Sequence, residues 1–280
     1  MKFNTALIVA GAILLNIAGS LCQLEVCGQA PLNNKIFGGE DATAGCCGNY
    51  SASGVVMYFG RQSQSGLNPK ETYRGARQII IHANYNNPVH DNDIALVQLS
   101  SSVTFSDYIS PVCLAAAGST FAAGTKSWIT GWGKLHSGDT EISDILQEVQ
   151  VPIVSNSDCY TAYGGLITSN MICAGIINVG EKGPCQGDSG GPVVSRNGSL
   201  WIQSGIVSFG GVKCDDPKYP SVFTRVSRYQ DWITSKIGSN PPGFVGFNNS
   251  GFRSSLNLLL FTISLMFSII PFTFSFYLSS

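Results

Sequence analysis

Apolar residues along the chain fall into short runs separated by glycine, asparagine, serine and proline. The runs G-V-V-M-Y-F (54–59), R-Q-I-I-I-H (77–82), I-A-L-V-Q-L (94–99), S-W-I-T-G-W (127–132), G-P-V-V-S (191–195) and I-Q-S-G-I-V-S-F (202–209) are β-branched or aromatic in character. Side chains of that kind fit a pleated sheet, and the residues between them make turns. Many short strands without an intervening helical period predict an all-β domain, either a barrel or a sandwich. One amphipathic helix is predicted at its close, Tyr229 to Ile237. The breaker Asn240-Pro241-Pro242-Gly243 then starts a stalk, taken as 239–255. No internal repeat is visible.

The two ends carry a different hydrophobic signal. Met1-Lys2, the apolar run Ala6 to Ala18 and the small pair Gly19-Ser20 have the order of a secretory signal peptide, with cleavage after Ser20 or Cys22. The leader is therefore placed at 1–22. At the other end, Leu256 to Ser280 holds no charged residue. That tail is long enough to cross a bilayer, yet no Lys or Arg follows it to fix a cytoplasmic end. Asn249, Ser250 and Gly251, a short spacer with Arg253 and then the tail follow the order of a GPI-attachment signal. An ordinary C-terminal membrane helix is the alternative, and either places the domain on the extracellular side of the plasma membrane.

Composition narrows the choice further. The net charge of −1 gives no electrostatic reason to propose a nucleic-acid partner. Nine cysteines in a secreted chain imply disulfides, and the odd count leaves one to explain unless Cys22 departs with the leader. Asn49, Asn197 and Asn248 each begin an N-x-[ST] sequon, so a glycoprotein is expected.

The sharpest motif is C-Q-G-D-S-G-G-P, Cys185 to Pro192. A nucleophilic serine needs an exposed Oγ and backbone N–H groups aimed where an oxyanion will form. Glycines on both sides of Ser189 permit such a turn and a close approach of substrate. With I-F-G-G-E-D at Ile36 and D-N-D-I-A-L at Asp91, the chain resembles a chymotrypsin-family (trypsin-like) serine protease, near the membrane-anchored group of prostasin, testisin and marapsin. The likeness runs from Cys27 to about Ile237.

That resemblance implies two Greek-key β-barrels with the active site between them and hydrolysis of peptide bonds in protein or peptide substrates. It makes Ser189 the nucleophile, Asp93 the triad aspartate, and the N–H groups of Gly187 and Ser189 the oxyanion hole. The 96 residues from Asp93 to Ser189 compare with about 93 in the family template. Residues 23–35 become a propeptide. An activating protease cutting this zymogen after Lys35 would free the Ile36 amine to pair with Asp188, and Phe37 stands where the family has valine. The resemblance pairs Cys27 with Cys113, Cys159 with Cys173 and Cys185 with Cys214. A further family bridge is replaced at both ends, by Ser127 and Ser195.

The substrate pocket departs from the family. Six residues before the nucleophile, where trypsin-like enzymes carry an aspartate, stands Gly183, followed by Pro184. Ser208, Phe209 and Gly210 would form the walls, with Ser221 deeper. Without a buried carboxylate little offsets desolvation of a substrate cation, so apolar or small side chains are expected. Asp215 and Asp216 lie near the rim.

The protease domain, 36–238, is internally truncated near 45–48. The triad needs a histidine about 45 residues before the aspartate, and that spacing falls in A-T-A-G-C-C-G-N-Y, which has none. Ile36 to Cys47 is 11 steps where relatives have about 40, so roughly 30 residues and about two strands of the first barrel are missing. His82, His90 and His136 match non-catalytic positions. Cys46 and Cys47 are left unpaired, because adjacent cysteines bridge poorly. Such a gap between intact motifs fits one event, an exon-skipped transcript or a gene-model break with an ordinary surface protease as full-length sibling. The expectation for the chain as written is an inactive or severely impaired enzyme, the alternative a cell-surface pseudo-protease that binds peptide or protein partners. No cofactor or metal site is expected, given three histidines and cysteines with bridge assignments.

Overall fold

The computed structural model describes residues 7–9, 27, 52, 54–180, 182–238 and 242–249. In chain order the elements are β1 (Leu7–Val9), β2 (Val56–Phe59), β3 (Thr72–Ile81), β4 (Ala95–Leu99), β5 (Cys113–Ala115), β6 (Thr120–Phe121), β7 (Lys126–Gly131) and β8 (Gln147–Val154). There follow α1 (Asn156–Ala162), β9 (Met171–Ala174), β10 (Pro192–Asn197), β11 (Leu200–Phe209), β12 (Ser221–Arg225), a 3-10 turn (Val226–Arg228), α2 (Gln230–Ile237), β13 (Phe244–Val245) and β14 (Asn248–Asn249).

The second half builds a closed barrel. Strands β10, β7, β8, β9, β12 and β11 pair in that order, and β11 returns to β10 to complete the ring. Alternation along β10 and β7 explains the closure. Val193 and Ile129 face a core shared with Val151, Ile172, Ile202 and Phe223. On the outer side Val194, Trp201 and Trp128 pack against α2 through Ile233. Two apolar faces therefore hold one sheet, one inside the ring and one beneath the C-terminal helix.

The first half is smaller and open. Its sheet has four strands in the order β1-β4-β3-β2, and no described pairing joins β2 to β1. The outer strand β1 comes from residues expected in the leader, pairing Ile8 with Val97. A compact cluster of Phe59, Val97, Leu99, Val103 and Ile109 fills one side of this sheet. The two halves are joined by hydrogen bonds: Gln64 N–H donates to Asp144 O (2.8 Å), and Leu146 N–H and Trp132 Nε1–H both donate to Gln62 O (2.9 and 3.1 Å).

Three details go beyond the sequence pattern. Helix α1 breaks an otherwise strand-only reading. It is capped by Ser155, whose Oγ accepts from Asp158 N–H (3.0 Å), as short helices require. Helix α2 starts at Gln230, with Tyr229 as its N-cap. After the Pro-Gly breaker the chain pairs again, β13 with β5 and β14 with β6. Phe247 stacks on Phe121 at 4.3 Å, and its buried ring joins the core of the barrel.

Candidate active site

The loop that carries Asp93 links β3 to β4 and is built by short polar contacts. Asn86 N–H donates to Asp91 O (2.8 Å) and Asp91 N–H to Pro88 O (2.9 Å). Asn86 and Asn92 adopt positive φ, which asparagine tolerates, and so does His90 at +63°, a rarer choice. The Asp91 carboxylate is 5% exposed and accepts from Thr168 Oγ1 (2.7 Å) and Asn170 Nδ2 (3.1 Å). Tyr229 OH donates to Asn92 Oδ1 (3.2 Å), and Thr224 Oγ1 to the Asp93 carbonyl (2.6 Å). Four of these donors, Thr168, Asn170, Thr224 and Tyr229, belong to the second half, so the loop is held from that side.

The Asp93 carboxylate accepts one short hydrogen bond from Ser208 Oγ, at 2.6 Å. Burial pushes its pKa up, while the Ser208 hydroxyl and the nearby His90 charge act in the opposite direction. Ser208 lies on β11 next to Val207, and Val207 holds the turn of Ser189. Gly190 N–H donates to Val207 O (2.9 Å) and Val207 N–H to Gly191 O (2.8 Å). Asp93 and the turn that carries Ser189 are therefore bonded to neighbouring residues of one strand.

The turn around Ser189 depends on glycine. Gly187 and Gly190 have φ of +99° and +82°, conformations that L side chains rarely adopt. Asp188 turns inward, and its carboxylate accepts from Gly133 N–H (2.8 Å) and Cys185 N–H (2.9 Å). A side chain at Gly131 or Gly133 would run into that carboxylate.

Ser208 and Phe209 close β11 and Gly210 follows them, while Gly183 and Pro184 precede Cys185 in the loop that leads to the Ser189 turn. The register pairs Phe209 with Val222, which puts Ser221 beside the end of β11. The Cys185–Cys214 disulfide ties that loop to the segment that follows Gly210. A Cβ built on Gly183 would lie 3.0 Å from Ser221 Oγ. Asp215 and Asp216 follow Cys214: Ser137 Oγ donates to Asp215 (2.7 Å) and holds its carboxyl below the usual range, and Asp216 caps Lys218 N–H. Two further disulfides are Cys27–Cys113 and Cys159–Cys173, and Phe209 packs against the cluster that holds the latter.

The three histidines occupy separate places. His82 packs on Tyr229 and Trp232 (5.5 and 5.1 Å), and burial lowers its pKa against the pull of Asp91. His90 stacks on Phe209 at 4.5 Å, and Phe209 in turn receives the edge of Tyr163 at 5.6 Å. His136 sits in an exposed turn, its N–H on Asp139 Oδ2 (2.8 Å). Lys35, Ile36, Cys46, Cys47, Asn49 and the tail 256–280 lie outside the described residues. Among the described residues no group of three His, Cys, Asp or Glu side chains is placed to hold a metal, and no helix is long and apolar enough to cross a membrane.

The sequence named Ser208 only as a pocket wall, and its bond to Asp93 is new. So is the role of Asp91 and Asn92 as anchors. The signal for both was present in D-N-D: an acid and an amide beside a second acid require partners from elsewhere when they are buried. A cavity of about 580 Å³ lies between Trp128, Trp201 and Phe247, and Asp93, Ser189 and Ser208 are not among its lining residues.

The family model for trypsin matches residues 38–233, more than half of the chain. The chain belongs to the trypsin family. Similar proteins include mouse transmembrane protease serine 11C, 46% identical over 175 residues, covering 61% of this chain and 40% of the relative. Mouse transmembrane protease serine 11G is 42% identical over 217 residues, covering 76% and 50%. Human transmembrane protease serine 5 is 34% identical over 245 residues, covering 74% and 52%. The chain spans about half or less of the length of these relatives.

Proposed function

We propose that this trypsin-family chain is a serine endopeptidase scaffold, inactive or severely impaired because the histidine of its triad is missing. The observation that carries the proposal is the position of the three histidines. Among the described residues the Asp93 carboxylate is hydrogen-bonded by Ser208 alone, and the imidazoles sit on Tyr229 and Trp232, on Phe209 and in an exposed turn. The alignment with human transmembrane protease serine 5 supports it. That alignment runs over 245 residues yet uses 74% of this 280-residue chain, so the relative has residues opposite which this chain has none.

In this reading Ser189 Oγ would attack the scissile carbonyl and form an acyl-enzyme. The N–H groups of Gly187 and Ser189 would receive the oxyanion. Cutting after Lys35 would bring the Ile36 amine to Asp188. With no imidazole to take the Ser189 proton, turnover falls by about 10⁶, going by subtilisin lacking its histidine, or roughly 8 kcal/mol of barrier. Its relatives are named as transmembrane proteases, which favours extracellular display. We place the chain with the prostasin, testisin and marapsin-like group, GPI-anchored through 249–251 and glycosylated.

A second reading is a surface pseudo-protease that binds peptides or proteins. The observation in its favour is that Asp93, Ser208 and the Ser189 turn belong to one bonded network. The experiment is secretion from animal cells, cleavage after Lys35 and reaction with a fluorophosphonate, beside a Ser189→Ala control. The expected result is no labelling of the folded chain. Labelling that disappears with Ser189→Ala means that another group serves as base, and the inactive reading fails.

A further inference from the structure

We propose that His82 is a positioning residue for Asp93: as a neutral imidazole it anchors the loop that carries the aspartate, and protonation releases that anchor. The inference rests on the reading above that Asp93 serves a protease site. It concerns what keeps that aspartate in place and when it is let go.

The anchor is a closed circuit of polar contacts. His82 follows β3 directly, and its backbone is fixed twice: its N–H donates to Ile94 O (3.1 Å), and its carbonyl accepts from Tyr85 N–H (3.0 Å). Its Nδ1 accepts from Asn84 N–H at 3.3 Å. The Asn84 carbonyl in turn accepts from Asn92 Nδ2 (3.1 Å), and Asn92 Oδ1 accepts from Tyr229 OH (3.2 Å). Tyr229 returns to the start, its ring at 83° to the imidazole with centroids 5.5 Å apart. Asn92 stands immediately before Asp93 and holds a left-handed φ of +54°. Asparagine keeps that backbone shape most readily when its side chain is bonded locally. The bonds of the Asn92 amide therefore fix the direction in which the chain enters Asp93. His82 is the loop's own part of a hold otherwise made from the second half.

The circuit needs His82 neutral. An imidazole nitrogen that accepts a bond carries no proton, and in the imidazolium both nitrogens are donors. A protonated Nδ1 would meet the Asn84 N–H donor to donor, and the turn would lose its hold. The groups that face the ring act in opposite directions. Burial resists the charge most strongly, Asp91 on the same loop favours it, and Lys236 on α2 opposes it. Tyr229 stays a donor, because burial and the charges of Asp91 and Asp93 raise its own pKa. His82 therefore titrates below its ordinary value of 6.5. The stability that it lends is present above 6.5 and is lost as pH falls through the folded value.

The test follows the full secreted chain by NMR, so it does not depend on a catalytic base. The His82 ring, the Asn92 side-chain amide and the Asp93 carboxyl are observed from about pH 8 to about pH 4. The Asn92 and Asp93 signals should shift with the midpoint of the His82 ring. Protection of the Asn84 N–H from exchange should fall a few-fold to about tenfold across it. In His82→Asn an amide Oδ1 takes the place of Nδ1, accepts from Asn84 and does not titrate. The shift at the His82 midpoint should vanish there, while the titration of Asp93 itself persists. His82→Phe keeps a ring but no acceptor, and its Asn92 signals should hold the low-pH positions at every pH.

Asn92 and Asp93 signals that ignore the His82 midpoint overturn the proposal. Neutral-form positions in His82→Phe overturn it too, since the imidazolium would then act by its charge alone. In both cases the inactive-protease reading stands, because reaction with fluorophosphonate decides it separately. Ser189-dependent labelling would overturn that reading without moving these shifts.

Discussion

Ser127 and Ser195 offer a direct check on how the barrel is closed. Both are fully buried, they face each other across the β10–β7 pairing, and their hydroxyl oxygens are 2.9 Å apart. Ser127 Oγ also reaches the Thr125 carbonyl at 3.4 Å. The proton order is then set: Ser195 donates to Ser127, and Ser127 to Thr125. Replacing Ser127 strands the Ser195 hydroxyl in an apolar core, while replacing Ser195 leaves Ser127 its acceptor. An unsatisfied buried hydroxyl costs about 1–3 kcal/mol, and a lost neutral hydrogen bond about 1 kcal/mol. Ser127→Ala should therefore destabilise by about 2 kcal/mol and Ser195→Ala by about 1 kcal/mol. The double variant should cost no more than about 1 kcal/mol, because removing both partners leaves nothing unpaired. Urea unfolding of the four proteins gives the coupling energy, expected at about 2 kcal/mol in magnitude. Additive single effects would show that the two hydroxyls are not a pair, and the reasoning would be wrong. A Ser127→Cys/Ser195→Cys variant extends the test. It would close a loop with a separation of 68 residues, and loop entropy sets an upper gain of about 4 kcal/mol.

Other consequences are simpler to state. Burial raises the Asp93 pKa in the folded state, so its contribution to stability is present below the unfolded value near 3.8 and is lost as pH rises through the folded one. Asp93→Asn should flatten that part of the stability profile, and Ser208→Ala should move the Asp93 titration further upward by NMR. Gly133→Ala should lower stability by about 1–3 kcal/mol through collision with the Asp188 carboxylate. Gly138→Ala, with open space at its Cβ, should be near neutral on the same thermal scan. Opening Cys159–Cys173 with paired alanines should cost about 3 kcal/mol, given a separation of 14 residues.

Much of this architecture could be read from residue patterns, for physical reasons. The strands of the second barrel alternate cleanly, as in V-V-S at 193–195, where Val193 enters the barrel core and Val194 meets the helix side. Such alternation is a local property and survives without knowledge of the fold. The Ser189 turn was legible because glycines on both sides of one serine have few other uses. What could not be read were the bonds between distant segments. Nothing near Ser208 signals that its hydroxyl belongs to Asp93, 115 positions away. Nothing after Pro242 signals that Phe247 returns to stack on Phe121, because two-residue strands carry no period. Helix α1 was hidden by its length, though the S-x-x-D at Ser155 to Asp158 marks its start.

The unequal halves raise a question about what holds Asp93 in place. The four-stranded sheet is open, and one of its strands, Leu7–Val9, lies in the stretch read as a leader. Removal of that strand would expose the edge of β4, which begins two residues after Asp93. An unpaired edge of that kind favours association with other chains. Asp93 itself depends little on that sheet. Its carbonyl is held by Thr224, its carboxylate by Ser208, and the flanking Asn92 and Asp91 by Tyr229, Thr168 and Asn170. All five tethers come from the half that forms a closed barrel. Losing part of the first sheet should therefore cost solubility and the base before it costs the position of the aspartate. That order distinguishes a chain whose cleft still binds from one whose cleft has come apart.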